Sequence, residues 1–202
     1  QLHQACQNLT QLRQKAAIKL ETELIRQLKP LGMEKVIFSC RILPSGISAQ
    51  GKDQIIYYFS PNPGEQIQPL AHTASGGEMS RFLLALKACF AHTKTQGKTL
   101  IDVGVSGKVA LSIANKLHYL SKSHQILCVT HQPLVAAMAD HHWRVEKQLL
   151  DSRTVIRVAN LANHQQRREE LAQLSGGKAD SEAIAFAESL LSQANAKRQD
   201  GE

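Results

Sequence analysis

Thr73-Ala74-Ser75-Gly76-Gly77-Glu78-Met79-Ser80-Arg81 stands directly before an apolar helical pattern. The first backbone N–H groups of a helix have no internal partners, and the helix dipole favours an anion there. The two glycines allow a phosphate to approach the backbone, and Ser75 adds a hydroxyl donor. The spacing from Ser75 to Glu78 also fits a capping box, which only starts the helix. By itself the stretch therefore predicts either an anion-binding helix N-terminus or a capped helix.

The sequence on both sides of this stretch predicts an α/β fold, because helical and strand patterns alternate through its second half. Residues 125–130 are almost continuously apolar, which is typical of a strand buried in a parallel sheet. Strands are predicted over 36–42, 54–60, 99–101, 125–130, 143–147 and 154–158, and helices over 78–92, 108–120, 133–139, 166–174 and 181–194. The turn residues between the first two strands predict that these form a hairpin or meander.

The N-terminal segment 1–29 lacks Gly and Pro and predicts an amphipathic helix that Pro30 and Gly32 end. Too few heptads are present to distinguish the end of a coiled-coil arm from an ordinary packing helix. The chain begins at Gln1 inside this predicted helix, so we expect it to be a piece of a longer protein.

Composition excludes several classes of protein. The 202 residues are 43% hydrophobic, enough for a core, and no run reaches the roughly 18 apolar residues of a membrane span. The four cysteines are far apart, which favours reduced thiols and a cytosolic location. The formal net charge of +7 fits contact with nucleic acid, but ordinary soluble proteins share it.

Several blocks together resemble the RecN family, which is related to the SMC proteins. Residues 74–78 resemble the signature motif of ABC-type ATPases, and 79–87 resemble the form that follows it in the RecN family. Residues 102–107 and 129–141 resemble further blocks of that family, in the same order. The resemblance covers most of 31–190, and its motifs are specific only in combination.

The resemblance implies the C-terminal lobe of an ABC/SMC-type P-loop ATPase head, with a mostly parallel sheet and flanking helices. It implies that 1–29 are the end of a coiled-coil arm, a stub at the N-terminus, and that 30–202 are the head lobe. The implied function is recombinational repair of DNA double-strand breaks, in the bacterial cytoplasm and associated with the nucleoid. The implied partners are an N-terminal RecN-type lobe, a second head and DNA, with no membrane.

The resemblance also implies a role for each matching residue. ATP and Mg²⁺ would bind only with a partner lobe that carries the Walker A loop, which the sequence lacks. Three signature residues would contact the γ-phosphate of that ATP: Ser75, Gly76 and Gly77. Glu78 would support the conformation of the loop. His131 would be the switch histidine, although spacing alone fits a histidine that ends a buried strand.

Asp102 marks a departure from the family pattern. Family members have an apolar Walker B strand that ends in Asp-Glu, then a further Asp before Val-Gly. Here Ile101 runs directly into Asp102-Val103-Gly104, so about four residues are missing. Asp102 is either the D-loop Asp or the Walker B Asp, and one carboxylate remains where Mg²⁺ and the attacking water need more. We expect hydrolysis to be defective and the central strand to be strained or shortened.

Three hypotheses result. The chain is an ATPase half-site that works with a Walker A-bearing partner, a degenerate head that binds ATP or dimerises without turnover, or a transporter ATPase subunit. The RecN-like extension of the signature argues against the transporter. A lobe without its other half is expected to expose apolar surface and to be poorly soluble alone.

Other candidates carry less weight. His141-His142 beside Asp140 poorly fits zinc spacing, so we predict no metal site. Residues 174–177, Leu-Ser-Gly-Gly, match the first letters of the signature motif better than 74–77 do, but they are interpreted as a helix C-terminus. Residues 167–170 are interpreted as a charged helix face. Cations that could face DNA, without an aromatic-interleaved motif to support it, are Lys108, Lys116, Lys122, Arg153 and Arg157.

Overall fold

Helices and strands succeed one another broadly as the sequence predicts. The computed structural model describes residues 1–62, 64–72, 76–91, 98–103, 109–150, 153–176 and 180–199. In chain order the elements are α1 (Leu2–Leu28), β1 (Ile37–Ser48), β2 (Gly51–Ser60), β3 (Gln68–Pro69), α2 (Gly76–Cys89), β4 (Lys98–Val103), α3 (Ala110–Ser121), β5 (Gln125–Thr130), α4 (Pro133–Ala137), β6 (Trp143–Leu150), β7 (Arg153–Asn160), α5 (His164–Gly176) and α6 (Ser181–Gln199).

Helix α1 packs along β1, β2 and α2. A short 3-10 turn, Lys29–Leu31, comes after it, and Gly32 then takes a left-handed conformation at φ 78°. Glycine adopts that conformation without steric cost, so the predicted end of the helix is confirmed. The division into an arm at 1–29 and a head lobe at 30–202 stays a prediction. The helix side chains buried in this packing include Cys6, Ala17, Leu24 and Leu28.

Strands β1 and β2 form an antiparallel hairpin whose register runs from Ile37 opposite Ser60 to Pro44 opposite Asp53. The register then shifts, and pairing resumes at Ser48 opposite Gly51. Because pairing resumes beyond the shift, β1 is longer than the predicted strand over 36–42. Gly51 has φ 100°, and a Cβ there would lie 2.8 Å from Leu9 Cδ2. The hairpin end therefore approaches α1 at a position that only glycine fits.

Three strand pairs in the described residues are antiparallel. β2 pairs antiparallel with β1 and with β3, and β6 pairs antiparallel with β7. The predicted hairpin over 36–42 and 54–60 is confirmed, and the mostly parallel sheet that the resemblance implies does not extend to these pairs. Short connections join their strands and allow antiparallel pairing, whereas a parallel pair needs a crossover of roughly a dozen or more residues. β4 and β5, which flank α3, form a separate two-stranded sheet.

The chain forms two units. Unit 1 comprises Gln1–Val103 with Ser123–Leu127, and unit 2 comprises Gly104–Lys122 with Cys128–Glu202. In unit 1, α1 packs on the β1–β2 hairpin and on α2, and Phe82 of α2 contacts the hairpin. In unit 2, α4 contacts α3, α5 and α6. A buried cluster joins α4, α5 and α6, with members Ala136, Ala137, Leu171, Ala172, Ala187, Leu190 and Leu191.

Large apolar side chains remain exposed on β5 and on the β6–β7 hairpin. The sequence of β5 predicts a strand that is buried on both faces. In the structure Leu127 and Val129 are 62% and 58% exposed, so one face of β5 is open to solvent. The predicted exposure of apolar surface is confirmed, whereas poor solubility stays a prediction. No helix in the described residues is long and apolar enough to cross a membrane. The exposed apolar residues on one face of the hairpin are Trp143, Val145, Leu149, Ile156 and Val158.

Candidate functional site

The signature residues that the structure describes lie in the first turn of α2. Gly76 is exposed, and Gly77 and Glu78 are half-buried. The Ser80 hydroxyl donates to the Gly76 carbonyl at 2.9 Å, one turn back along the helix. Ser75 lies outside the described residues, so the choice between an anion site and a capping box stays open for its hydroxyl. The predicted helix start is confirmed, because the turn immediately after Ser75 is helical.

Helix α2 is anchored by aromatic packing. Phe82 is 2% exposed, and its ring centroid lies 5.3 Å from that of Phe59 and 5.7 Å from that of Phe38. Phe38 also stacks on Tyr57 at 5.8 Å. Phe38 and Phe59 are opposite each other in the β1–β2 register, so both project from one face of the hairpin. The hairpin therefore anchors α2 at Phe82, about one helical turn after Glu78.

A polar cluster holds α1 against the same hairpin. The Asp53 carboxylate accepts hydrogen bonds from Thr10 Oγ1 at 2.8 and 3.0 Å and from Arg13 Nη1 at 3.0 Å. Arg13 Nη2 also donates to the Gln50 carbonyl at 2.7 Å. Desolvation acts to raise the pKa of Asp53, but the hydrogen bonds from Thr10 and Arg13 and nearby positive charge outweigh it and lower the pKa. The cluster thus favours the ionised carboxylate.

Asp102 lies within β4, near its C-terminal end. Its side chain is outside the part of the chain that the structure describes. β4 has six residues, as many as β5. The expectation that the gap strains or shortens this strand stays a prediction. Helix α2 contacts β4, and both belong to unit 1. The structure thus brings the strand of Asp102 together with the helix that begins at Gly76.

His131 directly follows β5 and belongs to unit 2. It is exposed. On one side, the Thr130 hydroxyl accepts a hydrogen bond from the Gln132 N–H at 3.0 Å. On the other side, Pro133 begins α4 with the fixed φ that suits a first helical position. His131 is therefore held between a strand end and a helix start, as the sequence predicts.

Two arginines that the sequence did not single out meet at the end of α4. Arg167 Nη2 donates to the carbonyls of Ala137 at 3.2 Å and Ala139 at 2.7 Å. Arg198 Nη2 donates to the same two carbonyls at 3.4 and 2.7 Å, and its Nε lies 3.5 Å from the Asp140 carboxylate. Arg167 is therefore not simply part of a charged helix face. The sequence holds no signal for this contact, because backbone carbonyls distant in sequence accept it.

The same cluster affects neighbouring titratable groups. Burial lowers the pKa of Arg167, the charge of Arg198 lowers it further, and Asp140 partly offsets both. Burial and the charge of Arg167 lower the pKa of His142. Within the described residues no group of three or more His, Cys, Asp or Glu side chains could hold a metal ion. His142 thus favours its neutral form, next to a permanently charged guanidinium.

The Leu-Ser-Gly-Gly stretch at 174–177 ends a helix, as predicted, over the part that the structure describes. Leu174 and Ser175 lie in the last turn of α5, and the Ser175 hydroxyl donates to the Leu171 carbonyl at 2.7 Å. Asp180 then caps α6, because its Oδ1 accepts from the Ala183 N–H at 2.8 Å.

No protein-family model matches the chain, but curated proteins do. The DNA repair protein RecN of Synechocystis sp. is 55% identical over 212 aligned residues, covering 96% of this chain and 36% of that protein. The DNA repair protein RecN of Bacillus subtilis is 36% identical over 207 residues, covering 93% of this chain and 36% of that protein. The chain belongs to the RecN family. It spans about a third of the length of these RecN relatives.

A solved structure shows the fold of this RecN-family chain. The Smc head domain with a coiled coil and joint derived from Pyrococcus yayanosii superposes with a TM-score of 0.55 at 17% sequence identity. The match covers 82% of this chain and 30% of that structure. At this identity the likeness shows the fold alone, and it confirms the predicted α/β fold of an SMC-type head.

Proposed function

We propose that the chain is the C-terminal part of a RecN-type protein that repairs DNA double-strand breaks by recombination. In this proposal it supplies the signature-motif half of an ATP site, and a lobe with a Walker A loop supplies the other half. The first turn of α2 carries the proposal, because Gly76, Gly77 and Glu78 begin a helix there whose first residue is exposed. Such a turn offers backbone N–H donors and the positive end of the helix dipole to a phosphate.

The environment of Gly76 supports a ligand from outside the chain. A Cβ added to Gly76 would meet no atom of the described structure within 4 Å, apart from the nearby backbone of its own helix. Packing against the described residues therefore does not require a glycine at this position. A glycine that costs helix stability without a packing reason fits a close approach by another group, here the γ-phosphate. Ser75 would add its hydroxyl, and Glu78 would support the turn.

Asp102 and His131 complete the proposed roles. The place of Asp102 within β4 favours the Walker B alternative over the D-loop alternative, because a Walker B carboxylate stands at the end of its strand. Asp102 would then help to hold the Mg²⁺ that accompanies ATP and neutralises phosphate charge. His131, exposed after β5, would donate a hydrogen bond to the γ-phosphate. No second carboxylate follows Asp102 to orient the attacking water.

The partners in this proposal are an N-terminal RecN-type lobe, a second head and DNA. The relatives are about three times as long as this chain, so they contain the chain length that an additional lobe needs. Leu127 and Val129 on β5 give that lobe an apolar surface to cover, which offsets their exposure to water. For DNA, the exposed cations Arg153 and Arg157 on β7 are candidates. The proposed location is the bacterial cytoplasm, in association with the nucleoid.

A second function is favoured by one observation, the absence of the Asp-Glu pair after Ile101. In that function the chain is a degenerate head that binds ATP or dimerises but does not hydrolyse. The signature turn and His131 would still contact nucleotide, since neither depends on the missing pair. A transporter subunit loses its support, because the family is RecN.

The deciding experiment is ATP turnover after mixing the chain with a RecN-type N-terminal lobe. A matched variant has Asp-Glu restored after Ile101. Turnover by the restored variant alone supports a degenerate head whose signature turn still binds. Equal turnover by both means that another carboxylate orients water and that our account of the gap is wrong. No turnover by either, in a pair that assembles, contradicts the proposed half-site.

A further inference from the structure

Helix α4 is too short to define its own position. It has five residues, and isolated helices shorter than about 12 residues are marginal in water. The last carbonyls of any helix also lack partners within the helix. The segment that continues from His131 through α4 to Asp140 must therefore be held by other parts of unit 2.

One hold is apolar. Ala136 and Ala137 are 6% and 2% exposed, and they belong to the buried cluster that Leu171 of α5 and Leu190 of α6 share. Alanine side chains let the backbone of α4 come close to both longer helices. This packing fixes the distance between α4 and its neighbours. A smooth apolar contact does little, however, to fix the rotation and end point of a helix of five residues.

The second interaction is hydrogen bonding by two guanidinium groups, one from α5 and one from α6. Arg167 and Arg198 donate to the same two carbonyls, those of Ala137 and Ala139, with the shortest distance 2.7 Å for each arginine. Hydrogen bonds from a charged donor are stronger and more directional than neutral ones. Two donors that share two acceptors fix both the end of α4 and the bend that leads to Asp140.

This arrangement brings two like charges together. Arg198 and Arg167 share acceptors, and the Asp140 carboxylate, 3.5 Å from Arg198 Nε, compensates part of the repulsion. Two partly buried cations that lie close together destabilise the folded state, unless the groups that they bind offset their repulsion and desolvation. The cost makes a general solubility role a poor explanation for Arg167 and Arg198. A requirement for accurate placement of the α4 end explains the pair better.

We propose that Arg167 and Arg198 are positioning residues that act through α4 to hold His131 in place after β5. The link is short, since only Gln132 separates His131 from Pro133, the first residue of α4. This inference rests on the proposed function only in assigning His131 to the nucleotide. It extends the site to α5 and α6, which carry none of the signature, D-loop or switch motifs.

The test is hydrogen exchange followed by mass spectrometry on the full 202-residue chain. The variants are Arg167→Gln, Arg198→Gln and the double variant, and the control Arg153→Gln removes the same charge from an exposed position on β7. We expect exchange in a peptide spanning 131–140 to rise modestly in each single variant, because the other arginine keeps both carbonyls. In the double variant we expect a rise of about tenfold or more, exceeding the product of the single effects. Peptides from the cores of α5 and α6 should change less than about threefold, which separates local positioning from general destabilisation.

A second readout connects the pair to the nucleotide. In the restored Asp-Glu chain mixed with the N-terminal lobe, the double variant should lower kcat for ATP while KM changes little, since His131 contacts the γ-phosphate as it reacts. Unchanged exchange at 131–140, or an equal rise throughout unit 2, overturns the positioning role. Raised exchange with unchanged kcat overturns the link to His131. If the restored chain without the arginine substitutions shows no turnover in an assembled pair, the proposed half-site fails, and the exchange data still decide whether the two arginines fix the α4 segment.

Discussion

Replacing Phe82 by alanine should release α2 from the hairpin. Phe82 is 2% exposed and contacts the rings of Phe38 and Phe59 with centroids 5.7 and 5.3 Å away. Truncation of a buried phenylalanine costs about 3–5 kcal/mol through lost transfer energy and the cavity left behind. Two aromatic pairs, each of roughly 0.5–1.5 kcal/mol beyond burial, place the expected loss in the upper part of that range. The neighbouring Leu83 is 50% exposed, so Leu83→Ala should cost less than about 1 kcal/mol and serves as the matched control.

The assay is urea denaturation, combined with hydrogen exchange resolved by peptide. We expect Phe82→Ala to lower the free energy of unfolding and to raise exchange most strongly in β1, β2 and the first turn of α2. Peptides from α5 and α6, which belong to unit 2, show whether the effect stays local. Equal losses for Phe82→Ala and Leu83→Ala would refute the reasoning, because the anchor depends on the buried face of α2. A stable Phe82→Ala variant with unchanged exchange at Gly76 to Glu78 would do the same.

Two further predictions concern charged side chains that accept hydrogen bonds. Asp53→Asn should lower the urea midpoint at neutral pH. The native pKa of Asp53 lies below its usual value of about 3.8, so its contribution is present above that pH and is lost as the pH falls through the native pKa. The midpoints of Asp53→Asn and the parent should therefore converge on acidification, and a gap that stays constant with pH would contradict the account. Asp180→Ala removes the acceptor of the Ala183 N–H and should cost about 1 kcal/mol, measured by the same denaturation, whereas Asp180→Asn should retain most of it.

The sequence predicts helices and strands best where Pro and Gly residues mark their ends. Pro30 and Gly32 end α1 where expected, and β5 occupies the predicted 125–130. The sequence gives the direction of pairing only where turn residues join two strands, as between β1 and β2. An apolar run by itself looks the same in either direction, so it does not predict how its strand pairs. The exposure of Leu127 escaped prediction for a related reason, because burial depends on a covering element that the sequence of this strand does not encode.

The residues of the candidate site also differ in how far the sequence could predict them. Motifs placed Gly76 and Gly77 at a helix start and His131 after a strand, since each depends on local backbone geometry that a short stretch encodes. The motifs did not predict the contacts that Arg167 and Arg198 make with α4. Their acceptors are backbone carbonyls, which every residue has, so no side-chain pattern marks them. Residues that position a motif from a distance can be found only when the fold brings donor and acceptor together.

The position of Asp102 within β4 bears on the residues that are missing after Ile101. β4 has six residues and includes Asp102 near its C-terminal end. If Asp102 has the proposed Walker B role, the missing residues would belong to the segment that follows the strand. A carboxylate at the strand end can still help to hold Mg²⁺, whereas orienting the attacking water needs a further group. The proposal therefore predicts that the assembled pair retains Mg²⁺-dependent ATP binding without turnover.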